Sequence, residues 1–411
     1  MALTKEIINE IIGTQEDFEV PMKLMERLEK DPNELFEEFL KHEDDLSFDW
    51  FADYFQEKYA DRKDKKQDFT PKQIGKLMNE ILGSTASNLD LCAGTGSLTI
   101  ERWNSNKDAV FVCEEWSSEV MPFLLFNLAI RNMHAIVFFG DSLTRESKGS
   151  YSLTPSDRFS IIVKKPIEEK AVETAIMNPP YSLKWSPKTD LIDEMRFKPY
   201  RKLAPKAKAD YAFVLTALDK LQESGRMAVV LPHGILFRNG AEEVIRRKLL
   251  EFGQIEAIVG LPHNLFLNNA IPTVIMVLSK KSDNKNVLFI DASKGFEKGK
   301  KQNILRDKDI EHIIDTLHRR NDEERYSHLA TFDEIKENDF NLNIPRYVDT
   351  FIPEPPVDLK KVIVDLHKVS VEMHENTKEL VGMLKELYSD DDDFMEDLER
   401  LIKELEDEGK E

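Results

Sequence analysis

A doubly wound α/β sheet is the architecture this 411-residue sequence predicts, and three observations predict it. Short apolar runs alternate with helical patterns from residue 68 to about residue 290. Several of these runs are continuous rather than alternating, as expected of parallel strands covered on both faces. Turns rich in glycine or proline follow two of the runs, at the strand ends where open α/β sheets place their ligands.

The elements follow in order. Residues 1 to about 65 read as short helices with acidic faces. The predicted strands are Asn88–Cys92, Ala109–Cys113, Ala135–Phe139, Ala175–Met177, Met227–Leu231, Ile255–Val259 and Pro272–Leu278. Val120–Ile130 and Tyr211–Leu221 carry helical periodicity between them. Residues 143–173 break the rhythm: they are polar, hold Gly149, Pro155 and Pro166, and include one strand-like piece, Phe159–Val163. They read as an excursion from the sheet edge. Beyond Pro353, Leu359, Ile363, Leu366, Met373, Leu380, Leu384 and Leu387 form one stripe at three- and four-residue spacing. That pattern predicts a long amphipathic helix with coiled-coil character. Asp390–Asp393 interrupt it, and Phe394, Leu398, Leu401, Ile402 and Leu405 mark a second helix. Packing back on the chain itself and docking on another protein both fit this pair. The expected division is a helical region 1–65, a sheet domain 66–350 and a C-terminal helical docking region 351–411.

Two turns carry the chemistry. Asp90-Leu91-Cys92-Ala93-Gly94-Thr95-Gly96 follows the first strand. Gly94 and Gly96 suit a close backbone approach by a ligand that a side chain would block. Asp90 can take an ammonium group, directly or through water. Glu114 follows the second strand, at roughly the ~20-residue distance of a ribose-binding acid, with Glu115 as a neighbouring substitute. Gly140-Asp141-Ser142 follows the third strand, and Asp141 can accept from an adenine amino group. A dinucleotide would ask for G-x-G-x-x-G, and Thr99 stands where its last small residue belongs. Three acids on three successive strand ends favour S-adenosylmethionine. The second turn, Asn178-Pro179-Pro180-Tyr181, follows Ala175–Met177. The prolines stiffen it. The Asn178 side chain and the Pro179 carbonyl can accept both hydrogens of an exocyclic amine, while Tyr181 stacks on a base swung out of a duplex. Phe237, in Leu236-Phe237-Arg238, is a candidate second aromatic wall.

Rival chemistries are weaker. Methylation of a cytosine ring carbon needs a thiolate, and Cys92 and Cys113 read as small buried hydrophobes. His134, His233 and His263 lack metal-ligand spacing, so no metal is expected. Two cysteines make no disulfide framework. No apolar run approaches the ~20 residues that span a bilayer, and the N-terminus has no signal-peptide apolar core. A cytoplasmic, membrane-free protein is expected. Hydrophobic residues are 41% and charged residues 33% of the chain, enough for a core and a soluble surface. The net charge of -20 argues against a chain that grips nucleic acid alone. Acidic residues crowd the two ends, however, and basic clusters (Arg62–Lys66, Lys198–Lys208, Arg246–Lys248) lie in the middle. Each fits a solvated face. Lys198–Lys208 follows the Asn178 turn, where contact with phosphates is the alternative.

These blocks resemble the modification (M) subunits of type I restriction–modification systems, which are DNA adenine-N6 methyltransferases. Asp90–Gly96 is similar to the family's Asp-Pro-Ala-Cys-Gly-Thr-Gly, and Asn178–Tyr181 to its Asn-Pro-Pro-Phe/Tyr. Asp68-Phe69-Thr70-Pro71 resembles its Phe-Tyr-Thr-Pro motif. Ala209–Phe213, Gly225–Val230, Leu236–Arg238, Leu261-Pro262 with Phe266, and Asn341–Tyr347 resemble further blocks in family order. Lys66 replaces a family glycine and Leu91 a family proline. The resemblance implies a Rossmann-like methyltransferase sheet with N-terminal and C-terminal helices. It implies Asn178, Pro179, Pro180 and Tyr181 as the catalytic turn. Phe69, Thr70, Pro71, Asp90, Ala93, Gly94, Gly96, Glu114, Asp141 and Ser142 would hold S-adenosylmethionine, and Tyr181 and Phe237 the target base. Implied partners are double-stranded DNA, a specificity subunit that selects the site, a second M subunit and, in some systems, a restriction subunit. Related enzymes put the same tetrapeptide on protein glutamine or RNA, and a catalytically idle scaffold is the remaining alternative.

Overall fold

The computed structural model describes residues 3–52, 54, 70–166, 170–266, 271–351 and 358–408. Contacts divide the chain into two units, Met1–Thr350 and Phe351–Glu411. The first unit opens with α1 (Lys5–Ile12), α2 (Val20–Lys30) and α3 (Pro32–Leu40). After the undescribed stretch come α4 (Lys72–Leu82), β1 (Ser87–Asp90), α5 (Ser97–Ser105), β2 (Val110–Glu115), α6 (Met121–Ile130) and β3 (His134–Gly140). Then follow β4 (Ser147–Thr154), β5 (Ile161–Lys164), β6 (Val172–Met177), α7 (Asp210–Asp219), β7 (Leu221–Pro232), α8 (Ala241–Glu251), β8 (Ile255–Gly260), β9 (Thr273–Ser279) and β10 (Val287–Asp291). A short ribbon, β11 (Glu297–Lys298) and β12 (Asn303–Ile304), precedes α9 (Asp307–Arg319), β13 (Ser327–Ala330) and α10 (Phe332–Glu337).

Among the described residues, 11 strands form one sheet in the order β13-β10-β8-β9-β7-β6-β1-β2-β3-β4-β5. The central run β7-β6-β1-β2-β3 is parallel. From β1 the chain winds one way through β2 and β3 and then the other way through β6 and β7. The reversal opens a crevice at the carboxyl ends of β1 and β6, which is where both sequence turns lie. The apolar runs behave as fully covered strands: Met227, Val229 and Leu231 join one core, while Ala228 and Val230 join another. Helix α6 is apolar apart from Asn127, and all ten of its residues are buried. It is sandwiched between the sheet and the N-terminal region: Phe36 and Phe39 of α3, and Phe51 in the segment after it, pack on Phe126 with ring centroids 4.6–5.2 Å apart.

The sheet is more mixed than a purely parallel reading expects. β9 inserts antiparallel between β7 and β8. Residues 143–173 supply an antiparallel hairpin, β4–β5, that widens the sheet at β3. The second unit holds α11 (Leu359–Leu384) and α12 (Asp392–Glu408). Lys385 pairs with Glu406 at 2.6 Å there, and Val381 and Leu398 are buried. Much of the predicted stripe of α11, including Leu359, Ile363, Leu366 and Met373, is exposed. No helix among the described residues is long and apolar enough to cross a membrane.

Candidate active site

One cleft of about 710 Å³ brings the two turns together. Ala93 and Gly94 of the first turn line it, as do Glu114, Asp141, Ser142, Thr70 and all four residues from Asn178 to Tyr181. Leu91, Trp116, Val120, Trp185 and Phe213 add apolar walls.

The glycine loop takes its shape from left-handed backbone at Gly94 (φ 57°) and Gly96 (φ 100°), a region that L side chains enter only under strain. A Cβ on Gly94 would project into open space, as expected of a surface kept bare for a ligand. The two glycines then divide their roles. Gly96 does not line the cleft; a Cβ there would press on Leu124 Cδ1 of α6 at 3.1 Å. Its smallness serves the packing of the loop. Asp90 is also absent from the lining. Its carboxylate is 1% exposed and lies beneath the loop, accepting from Cys92 N at 3.2 Å and Thr99 Oγ1 at 3.4 Å. Of the two ammonium contacts expected of it, direct or through water, the direct one is not what this geometry offers. Burial pushes its pKa up to about 7, with the Glu115 carboxyl adding to the rise.

Strand pleating separates the two acids that end β2. Glu114 Oε2 accepts from Arg145 at 2.7 Å and Glu114 Oε1 lies 3.4 Å from Lys220 Nζ. Those three side chains also line a second cavity of about 250 Å³. Glu115 turns to the glycine loop: Oε2 accepts from Gly94 N at 3.0 Å, and Oε1 from Trp116 N and Ser117 N at 2.8 and 2.7 Å. Burial holds the Glu115 carboxyl above its ordinary pKa. Both acids line the cleft; Glu114 is paired with two cations, whereas Glu115 is the one hydrogen-bonded to the glycine loop. Trp116 follows directly, with Lys148 Nζ 4.1 Å from its ring centroid. Just after β3, Asp141 Oδ1 accepts from Leu143 N and Thr144 N at 2.8 and 3.0 Å. Buried Arg196 fixes the same turn by donating to the carbonyls of Ser142 and Leu143.

Across the cleft, Asn178 Nδ2 donates to Thr70 Oγ1 at 3.0 Å, and Asn178 Oδ1 accepts from the Tyr181 hydroxyl at 2.7 Å. Tyr181 stands edge-on to Phe266, with centroids 6.0 Å apart. Ser182 leaves the turn in the left-handed region (φ 50°). Its N–H donates to the fully buried Asp210 at 2.8 Å, and Asp210 in turn accepts from Arg238 Nη1 at 3.2 Å. The block that suggested Phe237 as an aromatic wall acts through its neighbour: Phe237 is absent from the cleft lining, whereas Arg238 clamps the turn. Pro71 is the N-cap of α4 and is also absent from the lining. Phe69 lies outside the described residues. Trp116 and Trp185 were not anticipated, though each follows an identified acid or turn within four residues and adjacency was a usable signal. Both thiols are raised by burial, Cys92 also by the carboxyls of Asp90 and Glu115. Neither is set up as a thiolate nucleophile.

A type I restriction enzyme methylase subunit, MpnII, from Mycoplasma pneumoniae is 31% identical over 76% of this chain and 60% of its own length. Another, MjaVII from Methanocaldococcus jannaschii, is 28% identical over 77% of this chain and 54% of its own length. The chain thus spans a little over half of each of these curated relatives. The crystal structure of a type I restriction–modification methyltransferase subunit from Streptococcus thermophilus superposes with a TM-score of 0.65. It is 31% identical, and the match covers 84% of this chain and 79% of that one. With the N-6 DNA Methylase profile matching residues 44–354, which hold the whole sheet and every wall of the cleft, the chain belongs to the N-6 DNA methylase family.

Proposed function

We propose that this chain is the methyltransferase subunit of a type I restriction–modification complex, acting on the N6 amino group of adenine in DNA. One observation carries the reading: the bare glycine loop and the Asn178 turn face one cleft. S-adenosylmethionine would supply an electrophilic methyl group. Its fit rests on Gly94, whose missing side chain leaves the loop open, and on Glu115 and Asp141 at successive strand ends. Glu115 would accept from ribose hydroxyls and Asp141 from the adenine amine, with Trp116 as an apolar wall.

The adenine amino nitrogen is a poor nucleophile because its lone pair is shared with the ring. Asn178 Oδ1 and the Pro179 carbonyl would accept its two hydrogens and favour a pyramidal nitrogen with a free lone pair. The rigid turn, clamped through Ser182, Asp210 and Arg238, supplies positioning. Without a base present, Asn178 Oδ1 accepts from Tyr181, so the substrate amine replaces or shares that contact as it enters. No strong general base is needed, because the nitrogen becomes acidic once methylated.

Trp185 links the cleft to the basic run. Its Nε1 donates to Pro205 O at 3.0 Å, and its backbone N–H donates to Lys206 O at 2.9 Å. Lys198, Arg201, Lys202 and Lys206 are exposed there, which supports their contact with DNA phosphates. Site selection, and much of the DNA grip of so acidic a chain, falls to a specificity subunit, with the exposed stripe of α11 as the docking surface. A second methyltransferase subunit, and a restriction subunit where one exists, complete the assembly. Transfer of labelled methyl from S-adenosylmethionine to cognate duplex, measured in the presence of the specificity subunit, tests the reading. Asn178→Ala should slow it on the order of 100-fold, the size typical of losing one preorganised hydrogen bond at a reacting group; unchanged transfer would reject the assigned role.

A further inference from the structure

Asp49 lies in the segment between α3 and the undescribed stretch, outside every motif recognised in the sequence. Its Oδ2 accepts from Thr95 Oγ1 and from Ser97 Oγ, both at 2.5 Å. Its Oδ1 accepts from Asn127 Nδ2 at 2.7 Å and from Phe51 N at 2.9 Å. Thr95 is the residue between the two left-handed glycines, and Ser97 begins α5. Asn127 also donates to Thr95 O at 2.8 Å, so the loop residue is held at both its hydroxyl and its carbonyl. The segment bearing Asp49 is itself pinned: Arg131 donates to Leu46 O at 2.8 Å and to Phe48 O. Trp50 and Phe51 are buried in the aromatic cluster around Phe126.

Thr95 and Ser97 line the cleft, but Asp49 does not. Its carboxylate therefore acts from behind the loop. Without it, both hydroxyls lose their acceptor, and Thr95 is freed between the two residues whose backbone is the most permissive in the loop. We propose that Asp49 is a positioning residue that holds the glycine loop in its cofactor-binding form. The inference rests on the reading of the cleft as the S-adenosylmethionine site.

Calorimetric titration of S-adenosylmethionine into the full chain tests it. The set is wild type, Asp49→Ala, Asp49→Asn and a control, Arg27→Ala. Arg27 pairs with Asp31 and Glu38 and bonds Ile11 O, so its loss loosens the same helices away from the loop. Asp49→Ala should weaken binding about tenfold, with Asp49→Asn, which keeps one acceptor oxygen, in between; Arg27→Ala should stay within about twofold of wild type. In turnover with the specificity subunit, the KM for S-adenosylmethionine should rise while kcat is kept. Wild-type affinity in both Asp49 variants overturns the inference, as does equal weakening by Arg27→Ala, which would mark a general loss of stability. If Asp49→Ala does not fold, Asp49→Asn decides. Failure of the wild type to bind would instead bring down the reading of the cleft, and this inference with it.

Discussion

Burial governs the residues of this site. Asp90 ends β1 with 1% exposure, and desolvation raises its pKa from 3.8 to about 7. The unfolded chain releases that proton at the lower value, so between the two the folded chain binds more protons. Its contribution to stability is therefore full below pH 3.8 and is lost as pH rises through about 7. Asp90→Asn should remove this loss. Relative to wild type, the variant should gain on the order of 3–4 kcal/mol between about pH 4 and pH 7, read by denaturant unfolding; a constant offset at both pH values would contradict it. The Asn178 turn was legible because proline and asparagine at a strand end have few other uses. The choice between Glu114 and Glu115 was not. With β2 expected to stop at Cys113, Glu114 was the first acid beyond the strand. The strand runs on to Glu115, and pleating then decides which carboxyl faces the loop. Asp49 was invisible for another reason: its side-chain partners are 46–78 residues away in sequence, and no spacing rule reaches that far.

Elements were legible in proportion to their apolar content. The seven predicted strands all exist, within a few residues at most ends and with β7 starting six residues earlier. β4 was missed because Ser147–Thr154 is mostly small and polar; its hydrogen bonds to β3, and not a hydrophobic face, make it a strand. β10 is an apolar run of only four residues before Asp291, and β13 is as short. The stripe expected after Pro353 falls on α11, and the exposure of Leu359, Ile363 and Leu366 leaves it available for the specificity subunit proposed above. Ile363→Asp with Leu366→Asp should reduce co-purification of that subunit at least about tenfold, since each buried charge opposes an apolar contact. S-adenosylmethionine affinity, which depends on the first unit, should not change. Retained co-purification would move the docking surface elsewhere.

At the scale of the whole molecule, the site is assembled from distant parts of one unit. The winding of the sheet brings residues 93–94, 141–142 and 178–181 to one crevice. The N-terminal helices, which read as a region apart in the sequence, share a core with α6 and reach the glycine loop through Asp49. The hairpin from residues 143–173 brings Lys148 onto Trp116, and the turn leading into it brings Arg145 onto Glu114. On the proposed reading, the acidic balance of -20 fits a division in which other subunits recognise the target and this chain supplies the chemistry. The most direct measurement of that chemistry is nucleoside mass spectrometry of genomic DNA from cells lacking the gene, complemented with either wild type or Asn178→Ala. N6-methyladenine restored by the wild type and not by the variant is the expected result. Equal restoration by both, or a modified cytosine in place of adenine, would contradict the assignment of the cleft.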